Sequence, residues 1–377
     1  MASGIKVTKS IFSHMMDNLV INVGTDQSSP IVIHSDTFST IVFTLNAIDS
    51  NICITTSDIV QNFKRDYDPA IARVGLVVYP LDKIHIQVRN ESGEYTANSY
   101  LIPTIFGGYD RHRVEDEYDF IQHNFLTWRP QICYTSPGVK EQLSFVIHNE
   151  GADASVTYPT TSSRKIFAKI YFRTHQAAVL GLEVANQDLT LYRVDCSYDR
   201  IATIAGMLQI DDEVVAYDIY GGIDENTDDS VVINPQRFIV RPRSSSHTHF
   251  FFQNTLGGFD TITATGEVVS SAKGDVQTSM VRRKETEVHN AYVKSWEVNT
   301  GYIVTAQEEN LWHEFLRSTN RYILLENGTY RKIIVEEYKA ERATMEADSF
   351  TFKFHYAEAA EGSGFNKAES LPEFYIG

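Results

Sequence analysis

The sequence predicts a mainly β protein made of tandem β-sandwich modules, the last of which carries one capped α-helix at residues 305–318. Apolar and polar residues alternate with period two in several segments, most regularly in residues 83–89 and 349–356, as expected for strands with one buried face. The 377 residues also include 20 Tyr and 21 Phe, side chains that suit pleated, half-buried surfaces. Together these observations favour sheets over helical bundles.

The length of the chain predicts more than one domain, because 377 residues exceed what one hydrophobic core usually serves. A polar, small-residue segment at 151–163 and a connector with Pro and Ser at 241–246 indicate where the domains meet. We predict an all-β N-terminal module, a central β-sandwich module, a C-terminal β module with one helix, and a flexible tail with a terminal apolar peptide. These are residues 1–158, 159–242, 243–357 and 358–377.

The N-terminal module is predicted from four strand-like segments. Residues 31–33 and 40–45 are rich in β-branched and aromatic side chains. Residues 73–79 and 83–89 flank the turn sequence Pro80-Leu81-Asp82. The last two segments are therefore expected to form a hairpin.

A densely charged stretch lies at residues 109–119 of the same module. Mixed charges at this density indicate a solvated loop. Long loops on sandwich scaffolds also carry interactions, so four of these residues are candidate assembly contacts. They are Arg111, Arg113, Glu115 and Asp116.

The central module is predicted from short strands at spacings of about ten residues, a pattern typical of sandwiches and barrels. The strand-like segments are residues 165–173, 179–184, 189–194, 202–210, 213–220 and 231–233. Between the last two, Asp224, Asn226 and Asp228 have the spacing of the first ligands of a calcium loop. However, Asp229 stands where the sharp turn needs Gly, and Pro235 stands where a bidentate Glu is needed. We therefore predict no calcium site there.

The last module is predicted from an ordered series of strands, turns and one helix. An aromatic strand ends at Gly257-Gly258, and residues 290–298 form a long strand. The sequence Thr305-Ala306-Gln307-Glu308 is a capping box, which begins the one helix that we predict in the chain. Asn327-Gly328 indicates a two-residue type I′ hairpin, and residues 349–356 form the closing strand.

The order of these elements, with the segments "FFFQNTLGGFDT" and "TGYI…LLENGTYRKIIV", resembles the C-terminal module of tail and baseplate proteins encoded by phages and prophages of Bacteroides-type bacteria. The resemblance covers roughly the last third of the chain. It implies a non-enzymatic structural protein of a phage tail, baseplate or neck, which forms a ring or an attachment platform. It also implies contacts with other virion proteins and assembly in the bacterial host. Sheets with many edges and acidic loops fit subunit packing in a closed assembly, so we expect a homo-oligomer with cyclic symmetry that assembles in the host cytoplasm.

The C-terminal tail ends in apolar residues after a flexible stretch rich in Gly, Ser and Glu. An unpaired apolar peptide can add to a groove or to a sheet edge of a neighbour. We therefore predict that the tail docks on an adjacent subunit. Its candidate contact residues are Leu371, Phe374, Tyr375 and Ile376.

The charge of the chain argues against nucleic acid and membranes as partners. With 33 basic and 49 acidic residues, the formal net charge is −16, which repels polyanions and anionic membrane surfaces. The basic cluster at 237–243 ("RFIVRPR") is read as a solvated strand face. There is no signal-peptide pattern and no apolar run long enough to span a bilayer, so synthesis in a cytoplasm is expected.

The sequence contains no motif that carries catalysis or binds a cofactor. A nucleophile elbow, a phosphate-binding loop, a zinc-protease helix and a dinucleotide fingerprint are all absent. His247 and His249 point the same way on a strand but lack an obvious third metal ligand. Cys53, Cys133 and Cys196 form no metal or disulfide pattern, and each is predicted to be a small buried side chain. We therefore predict a protein that is not an enzyme and needs no cofactor or metal.

Two other functions remain open from the sequence. The first is a carbohydrate-binding surface or adhesion module, for which Tyr109, Trp128 and Tyr220 are candidate aromatic contacts. In a virion, such a module would meet a glycan of the host surface. The second is a polysaccharide-degrading enzyme with a pair of carboxylates at glycosidase separation.

Overall fold

The computed structural model describes residues 10–16, 19–22, 28–35, 41–46, 48, 51–55, 57, 76–88, 100–147, 164–187, 190–210, 212–222, 231–242, 247–281, 284–303, 305–339 and 349–357. Within these residues, strands dominate and form five sheets, while helices are few. The predicted mainly β fold class is confirmed.

The strands are numbered in chain order. The first twelve are β1 (Leu19–Asn22), β2 (Ser28–Ser35), β3 (Ile41–Asn46), β4 (Asn51–Ile54), β5 (Leu76–Pro80), β6 (Asp82–Val88), β7 (Tyr100–Thr104), β8 (Ile132–Thr135), β9 (Gln142–Ile147), β10 (Arg164–Phe172), β11 (Ala178–Ala185) and β12 (Thr190–Asp195). The others are β13 (Val214–Gly222), β14 (Val231–Val240), β15 (Thr248–Gln253), β16 (Phe259–Ala264), β17 (Val268–Val281), β18 (Lys284–Asn299), β19 (Arg321–Leu324), β20 (Tyr330–Lys339) and β21 (Thr351–Tyr356).

The described helices are a 3-10 turn at Ser13–Met15 and three α-helices, α1 (Glu117–His123), α2 (Tyr198–Met207) and α3 (Ala306–Arg317). The sheets have the strand orders β1-β4, β3-β2-β6-β7, β5-β12-β9, β11-β10-β13-β14-β8 and β16-β15-β19-β20-β21-β18-β17. Neighbouring strands are antiparallel, except that β8 runs parallel to β14.

The three-stranded sheet β5-β12-β9 lies between the five-stranded and the seven-stranded sheets. Every residue of β9 and β12 is buried, because both faces of this sheet are covered. On one face, Phe145 and Tyr192 join a single core with Ile170 and Tyr217 of the five-stranded sheet. Two sheets that share one core in this way form a sandwich.

The other face of the middle sheet packs toward the seven-stranded sheet. The buried guanidinium of Arg193, on β12, lies over the rings of Tyr79, Phe251 and Phe259, at 5.5, 5.6 and 5.2 Å from their centroids. Helix α3 covers the far face of the seven-stranded sheet with Trp312 and Phe315. The layers therefore follow the order five-stranded sheet, three-stranded sheet, seven-stranded sheet and helix.

The predicted boundary at residue 158 does not separate these sheets. Strand β12 pairs with β5 and β9, which precede the boundary, and β14 pairs with β8, which also precedes it. Strands from the first two predicted modules thus share two sheets. The division of the chain into domains stays a prediction.

The chain passes between sheets at Pro80-Leu81-Asp82, so the predicted hairpin there is wrong. Strand β5 pairs with β12, whereas β6 pairs with β2 and β7. Leu81 is buried in an apolar cluster with Phe12 and Leu191. Because Leu81 is buried, this connection carries the chain from one sheet to another and is not a surface turn.

Two helices were not predicted. Residues 202–210 were expected to be a strand, but helix α2 occupies most of them because Ile201 and Ala205, four residues apart, bury one face. The charged stretch 109–119 was expected to be a loop throughout, but α1 begins at Glu117. Asp116 caps this helix by accepting a hydrogen bond from the Asp119 N–H at 3.0 Å.

The elements of the last module agree with the sequence in most respects. Thr305 Oγ accepts from the Glu308 N–H at 3.1 Å, and the predicted helix follows. The hairpin at Asn327-Gly328 is confirmed, but its turn type is not. Gly328 has a φ of 79°, whereas Asn327 has no positive φ, and strand pairing ends at Leu324 and Tyr330. The loop is therefore longer than a two-residue type I′ turn.

A two-stranded ribbon extends beyond the seven-stranded sheet. Strands β17 and β18 pair along their whole length, from Val268 opposite Val298 to Val281 opposite Lys284. Strand β21 accompanies β18 only at residues 296–299. Beyond that point no described strand pairs with the ribbon. At about 3.3 Å per residue, the two-stranded part is roughly 35 Å long.

Candidate ligand cleft and assembly contacts

A cleft of about 680 Å³ lies where the N-terminal segment, the loop after β7, the turn between β15 and β16, and helix α3 meet. Such a volume is typical of small-molecule sites. One side is lined by aromatic and apolar side chains, and the other by the polar face of α3. The lining includes Met15, Phe106, Tyr109, Trp128, Asn254, Thr255, Asn310, His313, Glu314 and Arg317.

The floor of the cleft is the turn that follows β15, and glycines allow it to approach the neighbouring backbone. Gly257 has a φ of 79°, which favours glycine. A Cβ on Gly258 would lie 2.4 Å from the Leu126 carbonyl oxygen, and a Cβ on Gly107 would lie 2.6 Å from that of Thr255. The Gly257-Gly258 pair, predicted as a turn, is therefore also a site of close packing.

Thr255 connects three walls of the cleft. Its side-chain oxygen accepts a hydrogen bond from the Trp128 indole at 3.1 Å, and its carbonyl accepts one from the Gly108 N–H at 2.7 Å. Its own N–H donates to Glu314 of α3 at 2.8 Å. These contacts hold the aromatic wall and the helix in a fixed relation to the floor.

A buried polar network supports the floor from below. Arg129 Nε donates to Asp260 at 2.8 Å, and Arg129 Nη1 donates to Glu141 at 2.6 Å, with all three side chains almost fully buried. Asp260 also accepts from Thr127 at 2.7 Å and from the Asn254 amide at 2.7 Å. Burial of one cation with two carboxylates is tolerated because hydrogen bonds satisfy these groups.

Asn254 is the member of this network that also lines the cleft. Its amide nitrogen donates to the Leu126 carbonyl at 2.8 Å and to Asp260. Its Oδ1 accepts no hydrogen bond from any described group, although the residue is only 4% exposed. A buried acceptor without a donor is unusual, and this oxygen is itself almost inaccessible from the cleft.

The aromatic wall is formed by two half-buried side chains. The Tyr109 ring packs edge-on against Phe12 at 5.4 Å, and its hydroxyl donates to Glu117 at 2.9 Å. The Trp128 ring lies 5.9 Å from Phe120, and the Arg113 guanidinium is 5.4 Å from the Trp128 centroid. Of the three aromatic residues predicted for glycan contact, Tyr109 and Trp128 thus meet in one cleft. Tyr220 lies elsewhere and is buried against Phe167.

Glu117 links the aromatic wall to the N-terminal segment. Its carboxylate accepts from Ser10 Oγ at 2.6 Å, from the Ile11 N–H at 2.8 Å and from Tyr109. Burial raises the pKa of Glu117, although these hydrogen bonds oppose the change. The pKa of Tyr109 is also raised, by burial and by the charge of Glu117.

The predicted assembly contacts divide into two groups. Arg111, Arg113, Glu115 and Asp116 are all exposed, and Arg113 lines the cleft. Asp116 has the additional role of capping α1. Leu371, Phe374, Tyr375 and Ile376 lie outside the described residues, as does the acidic loop at 224–229. Sequence reasoning did not select Asn254, Thr255 or the polar face of α3 as site residues.

The remaining sequence candidates have structural roles. Arg237, in the basic cluster, forms two hydrogen bonds with Asp218 at 2.6 and 2.7 Å. His249 contacts Thr263 at 2.9 Å, and the rings of His247 and His249 are 6.5 Å apart. Cys196 is buried and Cys133 half-buried, but Cys53 is exposed, so its predicted burial is wrong. None of the described helices is long and apolar enough to cross a membrane.

Comparisons with known proteins give only weak structural similarity. No family model matches the chain, and no curated protein matches it. One solved chain, from "Virion of native gene transfer agent (GTA) particle", aligns with 31% of this chain and 95% of its own length, with 8% identity and a TM-score of 0.23. A similarity this weak is no evidence of shared function. The link to Bacteroides-type phages has no support among these comparisons and stays a prediction.

Proposed function

We propose that this protein is a non-enzymatic structural component of a phage tail, baseplate or neck, or of a related tail-like particle. In this proposal, copies of the chain assemble with cyclic symmetry into a ring or attachment platform and contact other virion proteins. The assembly forms in the host cytoplasm. The sequence resemblance of the last third motivates the proposal, and one structural feature is consistent with self-assembly.

That feature is the ribbon formed by β17 and β18. Isolated two-stranded hairpins are only marginally stable in water, yet this one extends well past the sheet that supports its base. Both of its edges present backbone N–H and C=O groups that no described strand pairs. A ribbon of this kind gains stability when another subunit covers it, so we propose that it is an assembly arm.

The test compares the full chain with a variant whose ribbon is shortened. Replacing residues 274–292 by Asn-Gly joins Lys273 directly to Val293, its register partner, through a tight turn. We expect light scattering during size exclusion to show a defined oligomer for the full chain and a monomer for the variant. An unchanged circular dichroism spectrum would show that the rest of the fold is retained.

Two results would contradict the proposal. One is a monomeric full chain at every concentration, also in the presence of particle components. The other is an oligomer that is unaffected by removal of the ribbon. Turnover of a polysaccharide by the purified protein would contradict its non-enzymatic character.

A second candidate function, carbohydrate binding, is favoured by the cleft. Tyr109 and Trp128 provide aromatic surface on one side, and Asn310 and Glu314 provide planar polar groups on the other. Saccharides present apolar C–H faces and hydroxyl groups to such mixed sites. The measurement for this function is a shift in melting temperature on addition of glycans, which follows from mass action. The two functions are compatible, because a virion component can also contact a glycan of the host surface.

A further inference from the structure

We infer that the free edge of strand β8 receives the terminal apolar peptide of an adjacent copy of this chain as an added strand. This inference rests on the proposed function, because it specifies one contact through which copies assemble. Its basis is an exposed and unpaired edge of the five-stranded sheet, the number of backbone groups that this edge offers, and the sequence and charge of the C-terminal tail.

Strand β8 is the outermost strand of the five-stranded sheet. It pairs with β14 on one side, and no described strand pairs with it on the other. Ile132 and Tyr134 are 50% and 54% exposed, whereas Cys133 between them packs against the core of the sandwich. The two exposed side chains therefore lie on the outer face of the sheet. Apolar side chains at an unpaired edge are a template for an added strand.

The backbone of β8 offers two residues for pairing at this edge. The carbonyl oxygens of Gln131 and Thr135 accept backbone hydrogen bonds from the β14 side, at 3.0 and 2.8 Å. Successive residues of a strand direct their N–H and C=O groups to opposite sides. Ile132 and Tyr134 therefore direct theirs to the free edge.

The sequence of the terminal peptide, which lies outside the described residues, suits an edge of this size. Pro372 has no N–H and ends strand pairing, but Phe374 and Ile376 follow it at alternate positions and can each donate and accept. Paired with Tyr134 and Ile132, they place two apolar side chains on the outer face of the sheet.

Other strands of this chain suit the edge less well. Strand β11 and the ribbon strands β17 and β18 also lack a partner on one side, but they are 8, 14 and 16 residues long. On an edge that offers two residues, most of their backbone groups would stay unpaired. A short peptide is therefore the better occupant.

Charge favours an antiparallel orientation of the peptide. Arg241 follows β14 beside the end of β8, is exposed, and lies over the Tyr134 ring at 3.1 Å from its centroid. It forms no ion pair among the described residues. Glu369 and Glu373 precede the apolar residues of the peptide. With Phe374 opposite Tyr134, an antiparallel peptide brings these carboxylates to the Arg241 end of the strand.

The experiment is disulfide trapping between full-length copies. One variant carries Ile132→Cys and a second carries Ile376→Cys, and both carry Cys53→Ser because Cys53 is exposed. The two are mixed with oxidised glutathione. Opposite residues of an antiparallel pair have Cα atoms about 5.5 Å apart, which a disulfide spans. We expect a covalent dimer whose peptide map contains a link between positions 132 and 376.

A second pair of variants guards against a local effect of one substitution. Tyr134→Cys and Phe374→Cys are placed opposite each other by the same antiparallel register, so they should also form a link. Circular dichroism of each variant shows whether the fold is retained.

The matched control uses Val184→Cys in place of Ile132→Cys. Val184 is 57% exposed on β11, the edge strand at the other end of the same sheet. We expect the link at 132 to form in about tenfold higher yield, because docking raises the effective concentration of the two thiols. Tyr375→Cys tests the register, since this side chain points to the opposite face of the added strand. Its link to 132 should form in lower yield than that of Ile376→Cys.

Several results would overturn the inference. Equal yields at positions 132 and 184 would show random collision of the thiols. An equal yield for Tyr375→Cys would contradict the register. Dimers linked only through two copies of position 376 would show that the peptides meet each other and not β8.

Light scattering of the Cys53→Ser chain separates these failures from failure of the proposed function. A defined oligomer without a preferred link between 132 and 376 would overturn docking at β8 but leave self-assembly standing. A monomer at every concentration that forms no such link would overturn both.

Discussion

Arg129 shows how a single side chain can hold together distant parts of the chain. It bonds Glu141, Asp260 and the side chain and carbonyl of Thr261, all of which are buried. The pairing joins residues more than one hundred positions apart and lies directly beneath Asn254. Substitution of Arg129 leaves the buried carboxylates of Glu141 and Asp260 without their cation. The free-energy cost of these unpaired charges exceeds the net stabilisation that the ion pair itself contributes.

We predict that Arg129→Met destabilises the protein by about 3–5 kcal/mol. The urea midpoint of unfolding measures the effect. Arg173→Gln, which breaks an exposed ion pair with Glu213, should cost no more than about 1 kcal/mol. Similar midpoints for the two variants would contradict the importance of the buried network.

Glu117 gives a prediction for pH. Burial raises its pKa, so the folded protein binds a proton at this carboxyl more tightly than the unfolded chain does. The favourable contribution of protonated Glu117 to the free energy of unfolding is therefore fully present below the pKa of the unfolded chain, about 4.3. It is lost as the pH rises through the pKa of the folded protein. Nearby titratable groups are Tyr109 and Asp116, and the charge of Asp116 acts in the same direction as burial.

The matched comparison is Glu117→Gln, which cannot titrate. We predict that the stability of the unmodified chain falls relative to this variant as pH rises from about 4 toward neutrality. Denaturant unfolding at a series of pH values measures the difference. Glu115→Gln, at an exposed neighbour, is the control variant. A difference that grows in the opposite direction would refute the assigned cause.

Helices and strands were predictable where several local signals agreed. Helix α3 has a cap, an apolar stripe and acidic residues in its first turn, and all of these indicate the same element. Helix α2 was missed because its apolar residues also fit a strand reading. Short apolar segments are ambiguous between the two periods.

The closing strand β21 provides a test at the scale of an element. Phe352 is 1% exposed and contacts the rings of Phe250, Trp312 and Phe315. We predict that Phe352→Ala lowers the stability of this module by about 3–5 kcal/mol, because it leaves a cavity under helix α3. Lys353→Ala, on the opposite and partly exposed face of the same strand, is the control. Equal urea midpoints would contradict the packing described.

The arrangement of sheets was largely beyond sequence analysis. Alternation reveals each strand but not its partner. The partners of β12 and β14 lie more than 40 and more than 100 residues earlier in the chain, as the pairs Leu143–Val194 and Cys133–Phe238 illustrate. The cleft was unpredictable for the same reason. Its walls approach one another only after residues near 107, 128, 255 and 314 have been brought together.

At the scale of the assembly, the C-terminal tail gives a prediction that stands apart from the described residues. Removal of residues 371–377 should weaken self-association and leave the melting temperature of the monomer unchanged, since the peptide is expected to dock on a neighbour. Light scattering and thermal unfolding measure the two effects. Intact assembly after removal would refute this docking.

The close contact between Gly107 and the turn after β15 also has a consequence for biosynthesis. The ribosome releases residue 107 long before residue 257, so the first loop must wait for the second before the two can pack. The middle sheet waits as well, because β5 and β9 both pair with the later strand β12. Contacts of such long range slow folding and leave unpaired edges exposed on the nascent chain. The emerging polypeptide is therefore expected to depend on chaperones until about two thirds of it has been translated.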